Sequence, residues 1–191
     1  MWWISLALAE PPGVILASPE GADAPALFRE QASGDGKEKE LVCDALVEAV
    51  LLCFRVESDQ TRRYVTEADL EAWGVTRAGL RRHAAGALEE SPLTRVEIPG
   101  GGHYWQSTAE PGREGTVLLH PEWLGQLGEE VLVAVPARGA LVAWTPGDSE
   151  VDKVVAVGAR KMFEQLDHPV SPLVLRYDAE GWRVWGQAKP Q

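Results

Sequence analysis

Cysteine is scarce in this chain: two residues, Cys43 and Cys53, stand among 191. That excludes a disulfide-dense scaffold and any zinc site built on four thiolates. Basic charge is scarce too. Eighteen Lys and Arg face 29 Asp and Glu, for a net charge of −11. A field of that sign repels phosphate backbones and anionic bilayers, so nucleic-acid and membrane-surface partners are disfavoured. No apolar run approaches the roughly 18 residues of a membrane span. The four histidines, His83, His103, His120 and His168, fall in four separate segments, with no pair at helical metal-binding spacing.

Reactive motifs are missing in the same way. No serine sits in G-x-S-x-G. Gly100-Gly101-Gly102 and Gly34-Asp35-Gly36-Lys37 do not extend into a phosphate-cradling pattern. His120-Pro121-Glu122 has the H-x-E form of zinc deaminases, but that chemistry needs a downstream P-C-x-x-C, and both cysteines lie upstream. Asp148, Glu150 and Asp152 alternate like the start of a calcium loop. Lys153 then stands where the loop needs glycine, and Ala159 where it needs a bidentate glutamate. No catalytic residue, metal ligand or cofactor is assigned.

What is present is an ordinary globular composition, 45% hydrophobic and 25% charged, enough for one substantial core. A single α+β domain over residues 1–191 is expected. At the N-terminus, Ile4–Ala9 alternates with period two, and Val14–Ala17 can pair back after Pro11-Pro12-Gly13. A first strand is favoured over a signal peptide there, because no Lys or Arg precedes the short apolar run. Residues 18–37 read as a flexible loop region, with a short helix at Ala24–Gln31.

Glu40, Asp44 and Glu48 repeat every four residues in an apolar stretch, which predicts a buried helix over Glu38–Arg55. Both cysteines fall in it, roughly 15 Å apart at the helical rise, too far for a disulfide. They read as buried thiols in a reducing, cytoplasmic compartment. Thr66-Glu67-Ala68-Asp69 starts a helix that Gly74 ends, and Thr76 opens another running to about Glu90. Arg95–Ile98 and His103–Gln106 flank a Pro-Gly-Gly-Gly turn. Thr116–Leu119 reads as a strand and Pro121–Leu127 as a short helix. Val131–Trp144 is a buried hairpin around Pro136–Gly139, Val151–Leu166 an amphipathic helix, and Leu173–Tyr177 with Trp182–Trp185 a terminal hairpin. Mostly antiparallel hairpins with clustered helices predict an α+β fold: one sheet packed against the helices Glu38–Arg55 and Val151–Leu166, with the Thr66–Glu90 pair at one side.

Three segments, Thr66–Gly74 (TEADLEAWG), Leu118–Trp144 (LLHPEWLGQLGEEVLVAVPARGALVAW) and Pro172–Trp185 (PLVLRYDAEGWRVW), together resemble the YtpQ-like family of uncharacterised bacterial proteins. The likeness runs over about residues 40–185. It implies a fold and a soluble bacterial setting, not a reaction. That family often carries an Arg-Asp pair after V-P-x. Here Gly139 follows Arg138, so no role of that acid carries over.

Eight tryptophans are many for this length. Trp123, Trp144, Trp182 and Trp185 cluster by sequence around the C-terminal strands, and with Arg138 they are the candidate binding residues. Core packing explains most of them; one or two exposed ones would suit a binding hot spot. Arg62-Arg63-Tyr64 and Arg77, Arg81 and Arg82 read as salt-bridged faces or as a patch for an acidic ligand. The functional expectation is a non-catalytic protein-binding or adaptor domain with a protein partner. Alternatives are an immunity-type inhibitor of a basic toxin, and a small-molecule-binding or hydrolase-like protein. The enzyme reading requires His103, His120, Glu122 or Arg138 to converge in one pocket.

Overall fold

A computed structural model describes residues 11, 13–21, 40–59, 61–110 and 112–187. These residues form an α+β fold with two antiparallel sheets. The first holds β1 (Val14–Gly21), β2 (Cys43–Val47), β3 (Val50–Ser58) and β4 (Thr61–Tyr64). Strand β3 pairs with β1 along one side and with β2 and then β4 along the other. The second sheet holds β5 (Leu93–Glu97), β6 (His103–Ser107), β7 (Val131–Ala137), β8 (Ala140–Trp144), β9 (Leu173–Asp178) and β10 (Gly181–Gln187). Its spatial order is β10-β9-β7-β8-β6-β5, so β10 and β5 are the outer strands among the described residues.

Strand β7 is buried along its whole length because both faces are covered. Leu132 and Ala134 meet Val151, Val155, Ala156 and Ala159 of the long helix α5 (Ser149–Gln165). Val131, Val133 and Val135 belong to a larger cluster with Leu52 and Phe54 of the first sheet. Four shorter helices add to that cluster: α1 (Glu67–Trp73), α2 (Arg77–Ala85), α3 (Glu114–Val117) and α4 (Pro121–Gly125). No helix among the described residues is long and apolar enough to cross a membrane.

Local chemistry accounts for the element ends. Asp69 Oδ2 accepts from both the backbone N and the Oγ1 of Thr66 at 2.8 Å, fixing the start of α1. Gly74, with φ of 62°, ends it. Thr76 Oγ1 accepts from Gly79 N at the start of α2. The hairpins expected around Pro99–Gly102, Pro136–Gly139 and Asp178–Gly181 are all present. Gly102 cannot be replaced at its turn: φ is 80°, and a Cβ would lie 2.2 Å from Val151 Cγ2.

The largest correction concerns Glu38–Arg55. No helix forms among its described residues; β2 and β3 make a hairpin turning at Glu48-Ala49. The four-residue spacing of the acids imitates a helical stripe. The apolar run Val50–Phe54 is buried from both sides, and such a run carries no period that separates strand from helix. The chemistry changes with the geometry. Cys43 faces Cys53 directly across the hairpin, with Cα atoms 4.0 Å apart, and the two form a disulfide. The reading of free thiols falls, and a cystine fits an oxidising compartment.

Other differences are smaller. Thr116–Leu119 is not a strand; Glu114–Val117 forms a helical turn pressed against β1, where tertiary packing overrides the β-preference of Thr and Val. Helix α2 stops at Ala85 rather than near Glu90. Residues 18–21 are not loop but the end of β1. Strand β1 pairs with β3. The expected Ile4–Ala9 strand, the Ala24–Gln31 helix and Trp2 and Trp3 lie outside the described residues.

Candidate functional site

Strand periodicity assembles the most polar part of the interior. Ile15 and Ala17 enter the large apolar cluster, so Leu16, Ser18 and Glu20 face the other way. In register, Leu16 stands opposite Arg55, and Arg55 opposite Tyr64. The two-residue turn between β7 and β8 brings Arg138 onto the same face, because Gly139, at φ 80°, takes the left-handed position there.

These side chains bond to one another. Glu20 Oε1 accepts from Ser18 Oγ at 2.8 Å, from Tyr64 Oη at 2.6 Å and from Arg138 Nη2 at 2.8 Å. Arg138 Nη2 also donates to Tyr64 Oη at 2.6 Å. Burial, then the hydrogen bond to Glu20, push the Tyr64 phenol above its ordinary value, so at neutral pH it is a donor. The Arg55 guanidinium lies 5.8 Å from the centre of the Tyr64 ring and pairs with Glu57 at 3.2 Å. Chemically this is a clasp joining the two sheets.

Glu114 lies beside it and is fully buried. Its Oε2 accepts from Gly112 N at 2.6 Å, and Arg55 runs past Gly112. Glu114 Oε1 and Thr116 Oγ1 have no hydrogen-bond partner among the described residues, a cost that apolar surroundings raise. No group of three or more His, Cys, Asp or Glu among the described residues is arranged to hold a metal ion.

The structure disperses the residues nominated by sequence. Trp144 is fully buried, its Nε1 donating to Asp152 Oδ1 at 2.9 Å. Trp123 is buried and stacks on His120 with ring centres 3.8 Å apart. Trp182 packs on Tyr177 against the core. Arg138 belongs to the clasp. Trp185 is 45% exposed, and beside it Val184 is 47% exposed. Of the four groups of the enzyme reading, His120 and Glu122 bond to each other, while His103 and Arg138 keep other partners. His103 packs edge-on to Trp105, and His120 bonds to Glu122 Oε1 and to the Ala85 carbonyl. That contact holds the Glu122 carboxyl below its usual range. Arg62, Arg63, Arg77 and Arg81 are paired with Glu57, Asp69, Glu67 and Asp44, the salt-bridged reading of those segments.

Sequence reasoning missed Glu20, Arg55 and Glu114, and named Tyr64 only within the Arg62-Arg63-Tyr64 patch. The one signal for them was the polar alternation Ser18, Glu20 after an apolar run. An open groove of about 550 Å³ between β1 and the α1–α2 pair is lined by Val14, Ile15, Trp73, Val75 and His83, none of them nominated as a binding residue.

Strand β10 carries the surface that stands out. Val184 pairs with Leu175 and Gly186 with Val174, so Trp185 is the extra residue of a β-bulge on an outer strand. Bulges commonly blunt sheet edges, usually with charge. This one presents two adjacent apolar side chains to solvent on a strand whose second edge pairs with no described strand, although β2 packs against part of β10. No family model, no curated protein and no solved structure matches this chain.

Proposed function

We propose that the protein is a non-catalytic protein-binding domain that takes its partner at the outer edge of β10. The observation that carries this reading is the exposed Val184–Trp185 pair at the bulge. An extended segment of a partner adds to the unpaired edge beside the bulge by main-chain hydrogen bonds, and Trp185 anchors it, as large rigid aromatics do at hot spots. The net charge of −11 favours a partner with a basic face and speeds its association, which suits the immunity-type form of the reading; polyanionic partners are disfavoured. The likeness to the YtpQ-like proteins rests on the three quoted sequence segments alone and supplies no activity. The cytoplasmic placement loses its cysteine argument, and the Cys43–Cys53 bond favours an oxidising compartment.

Affinity capture from the native source with the wild-type chain and with Trp185→Ser tests the proposal. One stoichiometric protein retained by the wild type and lost from the folded variant is the expected result. Equal recovery by both baits contradicts it.

A further inference from the structure

Helix α5 buries Val151, Val155, Ala156 and Ala159 against the second sheet. Its opposite side forms an open groove of about 360 Å³ lined by Glu150, Lys153, Val154, Val157, Gly158 and Lys161. Val154 is 49% exposed, and no atom lies within 4 Å of where a Cβ would sit on Gly158. The groove therefore has an apolar floor with room at its centre.

The charges around it differ from those elsewhere on the chain. Every described arginine except Arg82 is paired with a carboxylate. Lys153 and Lys161, the two lysines among the described residues, pair with no described carboxylate. On a chain of net charge −11, both stand at one apolar groove. They stand eight positions apart in the helix, about 12 Å along the axis at the helical rise.

We propose that this groove docks an acidic amphipathic helix of a partner protein. Apolar side chains of that helix cover Val154 and Val157, and Gly158 lets the two axes approach to about 8–10 Å. Carboxylates about two turns apart on the incoming helix repeat the lysine spacing and meet Lys153 and Lys161. Glu150 closes the N-terminal end and repels acids there, which fixes the direction of the docked helix. This surface does not involve β10 and stands whether or not that edge binds.

The probe is a synthetic helical peptide of about 18 residues with leucines on one face and glutamates a heptad apart, beside its all-glutamine counterpart. Both are titrated into the isotope-labelled full chain and followed by NMR. The expected result is binding of the acidic peptide with shifts confined to the groove side of α5. Affinity falls about tenfold or more, at least 1.4 kcal/mol, for Lys153→Gln/Lys161→Gln and for the glutamine peptide. Gly158→Leu blocks the groove while the rest of the spectrum stays native. No binding to the folded chain, shifts elsewhere, or indifference to the lysine variant overturns the proposal. So does an α5 response to phosphatidylglycerol vesicles or to the chain's own concentration in place of the peptide.

Discussion

Arg138 and Glu20 stand 118 positions apart in the chain and 2.8 Å apart in space. The Glu20 side chain is 6% exposed and that of Arg138 21%. Removing the cation strands a buried carboxylate, which costs far more than the pair itself contributes. Arg138→Ala is therefore expected to lower unfolding free energy by about 3–5 kcal/mol, and Glu20→Gln/Arg138→Met to recover much of that loss. Urea titration of the full mutant cycle checks this. Strictly additive losses would show that the two groups are not coupled.

Tyr64 gives the same clasp a signature in alkali. Its native pKa lies above the ordinary 10.0. The protonated phenol thus contributes stability that is fully present below pH 10 and is lost as pH rises through the native value. Tyr64 should form tyrosinate only at that higher pH or on unfolding, and Tyr64→Phe should abolish this late step. Ultraviolet titration reads both. A late step that survives in the variant contradicts the assignment.

The disulfide closes the short β2–β3 hairpin, a loop of ten residues by separation. Its loss should cost about 2–4 kcal/mol by restoring freedom to the unfolded chain. Intact mass before and after reduction, and melting with and without reductant, test the bond. Two titratable thiols in a folded chain prepared under oxidising conditions would refute it.

Neighbouring residues in α3 should respond in opposite directions. A Cβ on Gly115 would lie 2.3 Å from the Ala17 carbonyl oxygen, so Gly115→Ala should destabilise by about 1–3 kcal/mol. Thr116→Val removes a buried hydroxyl that has no partner among the described residues, and should be neutral or stabilising by up to about 1 kcal/mol. Thermal melts of the two variants against wild type decide both.

The hairpins and α5 were legible because their turns and periods lie within one local segment. Pro99–Gly102, Arg138-Gly139 and Asp178–Gly181 announce turns by residue type, and Val151, Val155 and Ala159 keep helical spacing. Strand β3 was not legible, because burial from both sides removes the alternation that marks a strand. The clasp was half legible. Arg138 drew notice at its turn, but its partners come from β1 and β4, and only the pairing of β3 with both brings them together. The β10 surface was legible as a tryptophan and not as a site. Whether Trp185 faces core or solvent depends on a one-residue bulge that the sequence does not mark.

Hydrogen exchange of the full chain, alone and bound to the protein it captures, tests the central claim most directly. The account predicts strong slowing of outward-facing amides in Gly181–Gln187, with the β5 edge unchanged. Protection elsewhere with β10 unaltered would contradict it.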